Sequence, residues 1–169
     1  MMTDMITPTY VQTMAAYNAE MNRRLYAAAG RLSDAERKQP RGAFWSSIHG
    51  TLNHLLWGDR VWMSRFADWP KVEVPIKQSA AVYDDFATLS DERRQTDEKL
   101  TAWANGVDET WLAGELTWVS AAVNREFTRP RGFLVSHMFN HQTHHRGQAH
   151  AMLTAAGQQT SDTDLFLVV

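Results

Sequence analysis

Apolar residues recur at helical intervals through four long stretches of the chain, parted by breaks rich in proline and glycine. The first stretch opens at Thr7-Pro8, with proline at the first helical position, and runs to about Gly30. Its apolar positions Tyr10, Met14, Met21, Leu25 and Ala28 follow the three-, four- and seven-residue spacings of an amphipathic helix. Ser33-x-x-Glu36 has the form of a capping box for a short helical turn, and Pro40-Arg41-Gly42 then breaks the chain. A second helix is predicted from Ser46 or Ser47 to about Phe66, with Ile48, Leu55, Trp62 and Phe66 on one face and Leu52 and Asp59 beside them. Trp69-Pro70 ends it, and Lys71 to Gln78 reads as an extended crossover.

A third helix is expected from about Ala80 to Ala104, carrying Phe86, Leu89, Leu100 and Trp103 and closing near Gly106. Between Trp111 and Arg131 the period changes. Leu116 to Val119 and Arg125 to Thr128 read as two short strands around Ser120–Asn124, a β-hairpin or irregular segment before the last helix. That fourth helix spans about Gly132 to Ala156, with Gly157 just beyond its end. The tail, Asp164 to Val169, is too apolar to be left in water and is expected to pack on the body or on a second subunit. Four long helices and a crossover imply an all-α bundle, one domain over residues 1–169.

Composition narrows the function. The 44% hydrophobic content and seven tryptophans imply a compact core, and 169 residues suffice to bury one. A net charge of −2 with no long basic block argues against nonspecific nucleic-acid binding. No apolar run approaches the roughly 20 residues that span a bilayer, and Met1 to Tyr10 lacks the basic-then-apolar order of a secretory signal. A soluble cytoplasmic protein is expected. The absence of cysteine excludes a disulfide scaffold and any thiolate metal site.

Five of the seven histidines fall between His137 and His150. On a helical wheel with His137 at zero, His141 lies at about 40° and His145 at about 80°, inside the stripe formed by Leu134, Met138, Met152 and Ala156. His137 and His144 sit at the stripe's edge and His150 on the far side. Two imidazoles one turn apart on a buried stripe either bond to neighbouring side chains or ligate a metal. A third ligand must come from another helix. His49 and His54 are candidates in the second, and periodicity does not choose between them. Small neighbours Thr51 and Gly58, one turn to each side, favour His54. Arg146, at about 180°, is expected at the helix surface or in a contact between helices. Asp59 is expected to orient a histidine or pair with an arginine rather than act as a general base, and Trp57, Trp62, Trp103 and Trp118 to line the core or a pocket. No glycine-rich phosphate loop, nucleophile elbow or paired-carboxylate signature is present.

Leu52-Asn53-His54-Leu55-Leu56-Trp57-Gly58-Asp59-Arg60-Val61-Trp62 and Asn140-His141-Gln142-Thr143-His144-His145-Arg146-Gly147-Gln148 resemble the two signature segments of the DinB/YfiT-like superfamily. The resemblance covers essentially the whole chain. It implies a four-helix bundle, commonly a homodimer, with a divalent metal (zinc or nickel foremost, iron also suitable) held by His54, His141 and His145. It leaves His137 or His144 as a hydrogen-bonding neighbour of the ligands or a proton shuttle. Three neutral histidines leave an open coordination position, as in catalytic rather than structural zinc sites, able to activate water or stabilise a thiolate. The resemblance therefore implies a metal-dependent enzyme acting on a small molecule, either a transferase using a low-molecular-weight thiol or a hydrolase. The rival expectation is a non-catalytic metal-binding stress-response protein.

Overall fold

The structure, a computed structural model, describes residues 5–120 and 123–169. The four predicted long helices are α1 (Pro8–Gly30), α3 (Ile48–Phe66), α4 (Phe86–Gly106) and α6 (Arg131–Ala155). Short elements connect them: α2 (Asp34–Lys38), a 3₁₀ turn (Ile76–Ala81), α5 (Glu109–Ala113) and the antiparallel pair β1 (Glu115–Ser120) and β2 (Arg125–Pro130). Helix α7 (Leu165–Val168) ends the chain. No helix among the described residues is long and apolar enough to cross a membrane.

Side-chain caps start most of these helices. Thr7 accepts from the Tyr10 amide, Ser47 from Gly50, and Asp85 from Thr88. The predicted capping box is complete: Ser33 accepts from the Glu36 amide while the Glu36 carboxylate accepts from the Ser33 amide.

Helix α4 begins at Phe86 rather than near Ala80. The preceding residues are instead pinned to α3, where the Tyr83 amide donates to Asn53 Oδ1 and the Tyr83 carbonyl accepts from Asn53 Nδ2. These bonds hold the backbone out of a helix until Asp85 caps the next one. Helix α5 was not expected; Asp108 caps it through the Trp111 amide. The segment before the tail docks on the body. Tyr17 donates to the Thr163 carbonyl and Arg31 to the Gln159 carbonyl, tying residues 158–163 to α1, whereas Phe166 is left 79% exposed.

Helix α1 packs on α4 and α6, and α3 on α6 and α4. Their apolar side chains form two clusters, one at each end. One contains Leu25, Ile48, Leu52, Leu89 and Leu153; the other contains Val11, Met63, Leu100, Leu134 and Phe139. Between the clusters every long helix contributes buried polar residues: Asn18 and Asn22, Asp59, Arg93 and Asp97, Gln142 and Arg146. Arg93 bridges Asp59 and Asp97 at 2.6 Å each, Asn22 donates to Asp97, Gln142 donates to Asp59, and Arg146 donates to Asn18. Such a layer is tolerable in an apolar interior because nearly every charge has a partner. It fixes the register of the four helices where the histidines lie.

Candidate metal centre

His54 projects from the middle of α3, and His141 and His145 project one turn apart from the facing side of α6. One ring nitrogen from each lies within 4.8 Å of the others. The His54 Nε2 and His141 Nε2 atoms are 3.1 Å apart, and the His141 and His145 ring centroids 4.5 Å. No further histidine, aspartate or glutamate among the described residues joins the group.

Close approach of the two helices depends on Gly58. A Cβ there would sit 2.8 Å from His141 Cε1, so the imidazole occupies the space a side chain would take. Aromatic rings wall the cluster. The Trp45 indole stacks on His54 at 3.9 Å, and Trp57 stacks near it at 5.6 Å. Trp45 comes from the turn before α3, where Ser46 has a left-handed backbone (φ 68°) and the Trp45 carbonyl lies where a Cβ on Gly50 would be.

Hydrogen bonds set the ring tautomers. Ser79 Oγ donates to the Ile76 carbonyl and so accepts from His54 Nδ1 at 2.8 Å. His145 Nδ1 donates to Gln148 Oε1 at 2.7 Å. Both rings therefore turn an unprotonated Nε2 toward the cluster. His141 holds one N–H against these two lone pairs, and its buried Nδ1 has no partner. Lone pairs outnumber donors, an imbalance that a cation corrects. Burial strengthens the same outcome, drawing the His54 pKa down to about 3 and that of His141 to about 4, with the neighbouring imidazoles adding to each shift. The pKa of His145 is lowered by the same loss of solvent. Three neutral imidazoles, two of them with their outer N–H held by a hydroxyl and an amide oxygen, suit a divalent transition metal.

The structure separates the remaining histidines. His49 is buried but turned away, its Nε2 bonded to the Tyr83 carbonyl at 2.8 Å. His137 lies one turn from His141, ring centroids 6.3 Å apart, with its edge toward Trp62. His144 is exposed beside His145, and His150 lines a small cavity on the far side of α6 with Tyr17 and Arg146. Arg146 makes a contact between helices and is buried, because α1 covers the face of α6 opposite α3. Asp59 pairs with Arg93 as expected. Sequence reasoning missed Trp45 and Ser79. Neither follows a period, since both lie in connections folded onto α3.

The sequence profile of the DinB family matches residues 5–168, so the chain belongs to the DinB family. A crystal structure of a DinB-like protein from Bacillus cereus superposes with a TM-score of 0.61 at 19% identity, covering 85% of this chain and 90% of that one. At that identity the likeness extends to the fold alone. Comparison with curated proteins gives no match.

Proposed function

We propose that this protein is a metal-dependent enzyme of four-helix-bundle form whose ion, zinc or nickel foremost, is held by His54, His141 and His145. Its reaction is transfer of a low-molecular-weight thiol to a small electrophile, or hydrolysis of a small molecule. The observation that carries this reading is the convergence of three neutral imidazoles with no fourth protein ligand among the described residues. Structural zinc sites are closed by four protein ligands, whereas catalytic ones keep a position open. An ion there supplies Lewis acidity toward a water or a thiol entering that position.

The protein's own groups do the rest. Ser79 and Gln148 orient His54 and His145 through their outer nitrogens. Trp45 and Trp57 exclude water from one side of the cluster. His137, one turn from His141, stands where a proton could be handed on. The exposed side chains of Leu165, Phe166 and Leu167 support a homodimer.

Elemental analysis of untagged protein should find close to one metal per chain. His54→Ala, His141→Ala and His145→Ala should each lose it, while His150→Ala retains it. Metal-loaded protein incubated with thiols and electrophilic acceptors should then show turnover above background. Full occupancy in His141→Ala would refute the ligand assignment. Occupancy without turnover across a broad panel would favour a non-catalytic metal-binding stress protein.

A further inference from the structure

Arg65 ends a row on α3 that begins with His54. Positions 54, 58, 62 and 65 follow helical spacing along one face, over roughly 16 Å of helix axis. The Arg65 guanidinium lies 4.6 Å from the Trp62 ring centroid and 5.9 Å from that of Trp118 on β1. It is half-buried, and no ion pair or hydrogen bond to the guanidinium is found among the described residues. Burial alone draws its pKa below the ordinary value, with no carboxylate opposing the shift. A cation held this way keeps its N–H donors for something else.

The hairpin extends the pattern. Arg125 and Arg129 lie 4.5 and 5.7 Å from the Phe127 centroid, and Phe127 stacks on Trp118 at 5.6 Å. Neither arginine joins an ion pair among the described residues. Aromatic contacts then run without a gap toward the histidines: Trp118 to Trp62 at 5.8 Å, Trp62 to His137 at 5.1 Å, and His137 to His141 at 6.3 Å. One wall of aromatic rings, fringed by three arginines with no acidic partner among the described residues, leads to the three-histidine cluster.

We propose that Arg65, flanked by Arg125 and Arg129, recognises the oxyanion of a flat apolar small molecule, a carboxylate in the first instance, whose other end reaches the three histidines. This deepens the reading of that cluster as a reaction centre and rests on it. A planar guanidinium pairs with a carboxylate through two parallel bonds, and the indole and phenyl faces accept a flat apolar group. Arg65 and His54 are eleven residues apart on α3, so a substrate on the order of 15 Å long would bridge the two ends. Nucleic acid would require a longer basic stripe than three arginines on a chain of net charge −2.

The test uses the metal-free full-length protein, titrated calorimetrically with benzoate, 2-naphthoate, phenyl phosphate and the neutral 2-naphthamide. The anions should bind, and the amide should bind about tenfold or more weakly, the worth of a charge-assisted hydrogen bond. Arg65→Gln should lose a similar factor, Arg65→Lys should fall between, and Arg94→Gln, which removes an arginine paired with Glu98, should bind like the parent. Tighter binding of phenyl phosphate than benzoate also supports the site and makes the oxyanion a phosphate. Equal binding of naphthoate and naphthamide, or unchanged binding in a folded Arg65→Gln, would overturn the proposal. Because the assay contains no metal, the titration reads anion recognition separately from the metal assignment. A negative titration beside intact metal binding removes this proposal alone.

Discussion

A single methyl group at Gly58 should remove the metal while leaving all three histidines in the chain. The Cβ of Gly58→Ala would stand 2.8 Å from His141 Cε1 and 3.4 Å from Nδ1. Ordinary carbon contacts begin near 3.5 Å, so the imidazole must retreat by roughly 0.7 Å. Metal–nitrogen distances tolerate about 0.2 Å, several times less than that shift. Loss of a residue that only orients a ligand typically costs about 10- to 100-fold in affinity; displacing a ligand itself should cost at least the upper figure.

Stability of the metal-free protein should move little. Alanine gains about 1 kcal/mol over glycine inside a helix, and a ring pushed off its rotamer costs about the same. Competition against a chromogenic chelator measures the first effect, and thermal melting of the metal-free protein the second. Gly147→Ala is the control: a Cβ there meets nothing within 4 Å, so it should stabilise by about 1 kcal/mol and chelate normally. Parental metal affinity in Gly58→Ala would refute the placement of His141 against α3.

Other substitutions probe the surroundings. Ser79→Ala removes the acceptor for His54 Nδ1–H and should lower metal affinity about 10- to 100-fold without unfolding the chain, read by the same competition. Arg93→Met strands Asp59 and Asp97 in the interior and should cost about 3–5 kcal/mol in denaturant unfolding; a loss under 1 kcal/mol would count against a buried ion pair there. Acid should weaken the metal-free protein. His54 and His141 take protons near the usual histidine value of about 6.5 when unfolded but only near 3 and 4 when folded. The unfolded state therefore binds more protons in between, and stability falls as pH drops from about 6.5 toward 4. Urea midpoints of the metal-free protein at pH 7, 6 and 5 should decline, and less steeply in His141→Gln.

Much of this was legible before the fold was known. Helical periodicity located all four long helices, and the wheel put His141 and His145 on the face that meets α3. It could not rank His54 against His49, because both lie on the flanks of their helix's apolar face and both are buried. What separates them is their partners, a backbone carbonyl for one and two imidazoles for the other. Arg146 and Gln142 were harder still. A polar side chain reads as solvent-facing until a third helix is known to cover it, and the polar layer assembles from residues scattered over four helices. Trp45 and Ser79 carry no periodic signal, since turns place them.

The buried salt-bridged layer has a consequence for how such chains can diverge. Gln142, the residue after His141, is bonded to Asp59, the residue after Gly58, so the two histidine-bearing rods are pinned beside the clustered imidazoles themselves. Oily side chains above and below this waist set how firmly the ends close, and not how far one rod slides along the other. Libraries that scramble those ends while keeping the waist should therefore still yield chelating proteins, their melting points scattered and their donor atoms in place.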